Sequence, residues 1–303
     1  MKTDPKKYGL RRFFYGILSL SILAHFAHHL ITGLPVPMLP FIRDDFALDY
    51  IKSGLVIGAF TLSYGISQLP AGWLADRLGS RLLISIGISG VALACLLVGI
   101  SPNYIMLIIF LALMGVMGGG YHPAAPPIIS ASVEANKQGR ALGLHTLGGS
   151  ASYSLAPLIA AAIATIWGWR GSFIILAIPV IAFGFTFFVL LGRRLAANKS
   201  DQVIVVSHNM PSLPRIPRSL RSLALFITLN TFVQAMFFST LSFIPLYLVD
   251  HFGISQEKAA AFIALVFSSG LWAGPLGGYL SDRFGRWQLL LWHASLLDRP
   301  FTC

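Results

Sequence analysis

Eight apolar stretches of about twenty residues punctuate this 303-residue chain, and each is long enough to carry a helix across roughly 30 Å of hydrocarbon. They fall at 13–34, 53–75, 82–100, 103–126, 141–164, 171–192, 222–248 and 259–280. In lipid only a helix or a closed barrel satisfies its own backbone groups, and these runs are far longer than barrel strands. The expectation is an all-α, polytopic membrane protein. Composition agrees: 55% of residues are hydrophobic, 11% are charged and the mean hydropathy is +0.74, values foreign to a water-soluble domain. The first run lacks a small-x-small cleavage site and leads straight into further runs, so it should stay as the first span.

A net charge of +11 would suit a nucleic-acid partner, but the placement of the Lys and Arg residues decides otherwise. They alternate from loop to loop. One set of loops holds Lys2, Lys6, Lys7, Arg11 and Arg12, then Arg77 and Arg81, then Lys137 and Arg140, then Arg193, Arg194, Lys199, Arg215, Arg218 and Arg221, then Arg283 and Arg286. The opposite loops hold only Arg43, Lys52, Arg170, Lys258 and Arg299. By the positive-inside rule the N-terminus and the 193–220 loop are cytoplasmic, in a multi-pass protein of the cell (inner or plasma) membrane. Membrane lipid is then the expected partner, and nucleic acid is not. Cys95 and Cys303 give neither a disulfide framework nor a metal-ligand spacing. No cofactor is expected, and no phosphate-cradling G-x-x-x-x-G-K loop points to ATP.

The loop GWLADRLGSR, Gly72 to Arg81, returns as GGYLSDRFGRW, Gly277 to Trp287. Gly72, Leu74, Asp76, Arg77 and Gly79 reappear 206 positions later as Gly278, Leu280, Asp282, Arg283 and Gly285. The register holds upstream, where Asp44, Phe46 and Lys52 align with Asp250, Phe252 and Lys258, so a whole helix-loop-helix unit is duplicated. Between the copies lies a Pro- and Arg-rich loop that reads as a linker. The expected organisation is a six-helix N-terminal bundle over 1–192, a cytoplasmic linker over 193–220 and an incomplete C-terminal bundle over 221–303. The latter would hold two full spans and, from Gln288 to Leu297, a stub of a ninth. Two halves in the same orientation are the parallel-repeat plan of secondary transporters, with the substrate between them near midplane.

The G-x-L-x-D-R-x-G-x-R loop and its echo resemble the signature loop of the major facilitator superfamily. That resemblance implies a transporter working by alternating access. It also implies that Asp76 and Asp282 each cap or pair with the start of a helix in the opposite half, while glycine lets two helices approach. Arg77, Arg81, Arg283 and Arg286 would be pairing partners or lipid-headgroup anchors. On this plan Asp282 keeps a partner in the fifth helix, whereas Asp76 loses one in an eleventh. The segments HFAHHLITGLPVPMLPFI, GGGYHPAA and GRALGLHTLGGSASYSLAPLIAA resemble the fosmidomycin-resistance branch of drug-efflux members. Acidic residues of that branch fall where this chain has His29 and Ala124, so their role does not carry over. GPLGG, Gly274 to Gly278, echoes an antiporter Gly-Pro motif, although Ala156, Ala160 and Ala161 stand where the fifth helix would need glycines.

Coupled transport needs a group that changes charge within the membrane, and such groups are costly there. Every Asp and Glu falls in a loop, a terminus or a span end. Histidine, with an unperturbed pKa near 6.5, is the titratable type that remains. His25, His28 and His29 share one face of the first span. His122 precedes Pro123 after Gly118, Gly119 and Gly120, which fits either a helix broken open towards a ligand or His145, or a helix ending before Pro126 and Pro127. Asn230 and Gln234, one turn apart on the seventh span, suit hydrogen bonding to a polar substrate across the cavity or to a neighbouring helix. The small-residue pairs Gly139 and Gly143, and Gly115 and Gly119, have the spacing of close helix packing. These residues could equally be structural polar contacts.

The reading is a transporter of a small organic solute, by proton-coupled drug or metabolite efflux, and not an enzyme. An uptake symporter for a sugar or organic anion is the alternative. HFAHH also matches the H-x-x-H-H box of membrane di-iron enzymes, but these need several clustered boxes, and His122, His145, His208, His251 and His293 are isolated in sequence.

Overall fold

The computed structural model describes residues 16–201, 220–285 and 288, and among them there is no strand. The helices are α1 (Ile17–Thr32), α2 (Pro35–Phe46), α3 (Tyr50–Leu78), α4 (Ser80–Gly99), α5 (Tyr104–Gly118), α6 (Tyr121–Ala131), α7 (Gln138–Asp201), α8 (Leu220–Phe252), α9 (Gln256–Ser268) and α10 (Gly270–Phe284). A 3-10 turn, Ala135–Lys137, precedes α7.

These helices assemble into eight passes. α1 and α2 form span one, bent where Gly33 is followed by Pro35 and Pro37. α3 and α4 are spans two and three, α5 and α6 span four, α8 span seven, and α9 and α10 span eight. α7 supplies spans five and six. Its 64 residues would reach about 96 Å if straight, but Gly168 (φ 68°, ψ 172°) turns the chain back. The Ser172 hydroxyl consequently donates to the Ala160 carbonyl at 2.7 Å, although residues twelve apart on one helix stand about 18 Å apart. Among the described residues six segments are long and apolar enough to cross a membrane, Ala135–Ala196 among them with 62 residues. α3 is less apolar, being richer in Ser, Tyr and Gln.

Span four corrects one sequence expectation. Its helix does not stop before Pro126 and Pro127, since both lie inside α6, which runs to Ala131. Nor is the backbone opened widely at the glycines. Gly119 and Gly120 keep right-handed helical dihedrals and offset α5 from α6 by a two-residue kink. Pro123 occupies the first turn of α6, where its missing N–H leaves no helical bond unmade.

The duplication is visible in the backbone. Asp49 caps α3 by accepting from the Lys52 N–H at 2.7 Å, and Ser255 caps α9 by accepting from the Lys258 N–H at 3.4 Å. Lys52 and Lys258 are equivalent residues. At the other end of each repeat Gly79 (φ 87°, ψ 138°) and Gly285 (φ 92°, ψ 147°) end their helices in the same conformation, one that side chains disfavour. The last glycine of the motif thus serves chain direction. Nothing lies within 4 Å of a Cβ built on Gly79.

Three acids at one end of the molecule have three separate duties. Asp49 is the cap just described. Asp45 accepts from Arg170 Nη1 at 2.6 Å and from the Trp169 indole N–H at 3.2 Å, tying span one to the turn between spans five and six. Asp44 reaches the second repeat and accepts from Gln256 Nε2 at 2.6 Å.

Arg286, Trp287, the segment 289–303 that holds most of the expected ninth-span stub, and 202–219 within the expected linker lie outside the described residues.

Candidate functional site

Five histidines that are dispersed in sequence meet inside the first six spans. His25, His28 and His29 project from α1, His122 from α6 and His145 from α7. His25, His28, His29 and His145 are buried, and His122 is half-buried. His25 stacks on His145 with ring centroids 4.1 Å apart and on Tyr121 at 5.5 Å. His122 stands 5.2 to 5.6 Å from the rings of His25, His28 and His29.

The glycines of span five make room for this cluster. A Cβ on Gly149 would stand 2.7 Å from His25 Cε1, and one on Gly148 would overlap the Ile22 carbonyl oxygen. Span five can approach span one so closely only because those positions lack side chains. The Gly148-Gly149 pair therefore belongs to the construction of the site.

Hydrogen bonds fix the imidazole tautomers. A carbonyl oxygen can only accept, so a ring nitrogen facing one must carry the proton. His25 Nδ1 donates to His145 O at 2.8 Å, His28 Nδ1 to Gly87 O at 3.0 Å and His145 Nδ1 to Ser21 O at 3.1 Å. In the neutral rings each Nε2 then presents a lone pair. That of His28 accepts from the Tyr64 hydroxyl at 3.0 Å, whereas that of His25 is buried without a hydrogen-bond partner. His29 Nδ1 contacts Thr32 Oγ1 at 2.9 Å. His145 finds the Ser21 carbonyl and not an opened span-four backbone.

Asn230 and Gln234 are not brought to this cluster. Both are exposed on α8, and the structure shows no hydrogen bond from them across to span one. Tyr64, Tyr121 and Thr32, which sequence reasoning missed, take the polar positions instead, together with Tyr153. Tyr121, the immediate neighbour of His122, stacks between His28 at 4.5 Å and His25. Tyr153 lies 4.4 Å from His29 and 4.6 Å from Phe267 on span eight, measured between ring centroids. It connects the cluster to the second repeat.

The repeats join along spans five and eight. At one end Asp282 accepts from the backbone N–H of Gly139 at 2.9 Å and of Arg140 at 2.8 Å, so a carboxylate from span eight meets the positive end of the span-five helix. A Cβ on Gly143 would stand 2.6 Å from the Gly274 carbonyl oxygen, and one on Gly278 would overlap that of Gly139. The motif's glycine and aspartate act together here. The first copy differs. Nothing lies within 4 Å of a Cβ on Gly72, and Asp76 is exposed with no hydrogen bond or ion pair among the described residues.

Among the described arginines of the motif, Arg81 is half-buried while Arg77 and Arg283 are exposed. Arg81 donates from Nε to Phe188 O at 2.9 Å and lies over the Phe188 ring at 3.8 Å. Arg77 covers Trp73 at 4.0 Å. Arg283 donates to the Tyr279 hydroxyl at 3.1 Å.

A paired repeat with one motif copy capping a helix of the opposite half is the arrangement expected from the sequence. The sequence profile of the Major Facilitator Superfamily matches residues 21–297. The chain belongs to that superfamily. Among relatives, it is 25% identical over 299 residues to the fosmidomycin resistance protein of Escherichia coli (strain K12), covering 95% of this chain and 70% of that protein. It is 29% identical over 278 residues to the multidrug resistance protein MdtG of Proteus mirabilis (strain HI4320), covering 87% of this chain and 66% of that one. A probable sulfoacetate transporter, SauU, of Cupriavidus necator is 25% identical over 80% of this chain and 59% of its own length. The chain thus spans roughly six- to seven-tenths of the length of these relatives. Among solved structures, a bacterial homologue of the human lysosomal transporter Spinster, inward-facing and occupied, superposes with a TM-score of 0.67 at 21% identity, covering 93% of this chain and 63% of that one. The major facilitator fold accounts for all eight passes.

Proposed function

We propose that this major facilitator chain moves a small organic solute outward across the cell membrane by alternating access, driven by the proton gradient. The observation that carries this reading is the position of the histidine cluster beside the seam between repeats, with Tyr153 touching both His29 and Phe267. A buried polar surface at such a seam is where a parallel-repeat transporter holds its solute. In this reading 1–192 and 221–303 belong to the two rocking bodies and 193–220 is the linker. The N-terminus is cytoplasmic, in line with the loop charges.

Efflux draws on the fosmidomycin and multidrug resistance relatives. A second reading, uptake of an organic anion, draws on the sulfoacetate relative. In cells expressing the chain, a protonophore is expected to raise the accumulation of an exported fluorescent drug. One proton per cycle at about 2.3 kcal/mol per 100 mV limits the change to roughly fiftyfold. Unchanged drug accumulation together with falling uptake of a labelled organic anion would overturn efflux in favour of the second reading.

A further inference from the structure

We propose that His25, His29 and His122 form a binding site for a divalent transition ion of the zinc, cobalt and nickel class. One ligand nitrogen from each ring lies within 4.8 Å of the other two. Three imidazole nitrogens on one tetrahedral ion stand about 3.3 Å apart, given metal–nitrogen distances of about 2.0–2.1 Å. Side-chain rotation has to close that gap, and half-buried His122 makes no hydrogen bond among the described residues that would hold it back.

The surroundings supply what a histidine ligand needs. Imidazole ligands to zinc characteristically use the second ring nitrogen to bind a carbonyl or hydroxyl, which sets the tautomer and aims the lone pair. His25 does this through the His145 carbonyl and His29 through the Thr32 hydroxyl. His25 Nε2 is left buried without a partner, a costly state for a polar atom that an ion would relieve. His28, by contrast, has both nitrogens engaged, by Gly87 and Tyr64, and stays outside the triad. The site is therefore selected by hydrogen bonding within the HFAHH string and completed by a residue from span four. A di-iron box would instead use all three histidines of that string.

Neutral nitrogen donors favour zinc-class ions over magnesium and calcium, which require oxygen. Three neutral ligands leave the ion its full charge, so the fourth position takes an anion, hydroxide or chloride when the ion is added alone. His122 is the least buried of the three ligands. Binding is a property of the triad and holds whichever direction the solute moves.

The test uses the full chain, purified without a polyhistidine tag in detergent. Equilibrium dialysis against zinc chloride is expected to give one ion per chain, and cobalt chloride a visible d–d spectrum of tetrahedral nitrogen coordination. His25→Ala, His29→Ala and His122→Ala are each expected to weaken binding about tenfold or more, whereas His28→Gln and magnesium serve as controls, retaining zinc and failing to bind respectively. Thermal melting guards against misfolding: zinc should raise the midpoint of the wild type and of His28→Gln, and leave that of the triad variants where it was. Zinc bound equally by folded triad variants, or no zinc retained by the wild type, overturns the site.

Discussion

Gly278→Ala is expected to cost about 1–3 kcal/mol of stability, the usual range for overpacking a close contact, and to reduce transport to near background. Gly277→Ala, one residue earlier, should change neither. A Cβ on Gly278 would overlap the Gly139 carbonyl oxygen and stand 3.2 Å from the Gly143 Cα, whereas one on Gly277 meets nothing within 4 Å. Both obstacles are backbone, so no rotamer change relieves them. Forcing spans five and eight apart also withdraws Asp282 from the N–H groups of Gly139 and Arg140, a loss of about 1–2 kcal/mol for a helix cap. Gly72→Ala, at the equivalent position of the first repeat, should be silent for packing. Melting midpoints in detergent and transport by the same four proteins decide the matter. Equal damage from Gly277→Ala and Gly278→Ala would remove the crossing as the explanation.

The unlike surroundings of Gly72 and Gly278 mark a limit of sequence reading. The two copies present the same letters, and the cap that the family resemblance implied for Asp282 is the contact seen at the start of span five. The letters could not separate the glycine that serves close approach, Gly278, from the one that serves a positive φ, Gly285, because both demands select the same residue. Most span limits followed from the apolar runs, but span one continues to Phe46, past the run that ends at 34. At span four they failed, since adjacent prolines stop helices in water, while membrane helices accommodate them when neighbouring groups satisfy the freed carbonyls.

The candidate site was half legible. One helical face collected His25, His28 and His29, and their cost in lipid singled out His122 and His145. What brings the five together is the absence of side chains at Gly148 and Gly149, a packing relation between elements 120 residues apart in sequence. Nor could sequence tell that His28 is saturated while His25 Nε2 is unpartnered, because the Gly87, Tyr64 and His145 contacts are all tertiary. Asn230 and Gln234 were drawn in by helical spacing alone, which fixes that two residues share a face but not which way that face points.

Asp250→Ala is expected to shift the molecule about fivefold towards separated repeats at the end opposite the repeated motif. Asp250 accepts from Arg43 Nη1 at 2.5 Å and from the Tyr50 hydroxyl, while Asp44 accepts from Gln256 Nε2 at 2.6 Å. Asp44 is equivalent to Asp250, and the same register makes Tyr50 equivalent to Gln256. Each aspartate is thus held by the residue six positions further along the other copy, in a reciprocal pair like that of a two-fold interface. Separating this end breaks both bonds at once. Arg43 and Asp250 side chains are 16% and 31% exposed, so the ion pair contributes only about 1 kcal/mol, which corresponds to about a fivefold population shift. Asp44→Ala should shift it less, because Arg43 and Tyr50 still hold Asp250, and molar salt should imitate the substitution by screening. Spin labels at exposed Ile51 and Phe252 would report the longer separation, and an unchanged distance distribution in Asp250→Ala would rule the clasp out.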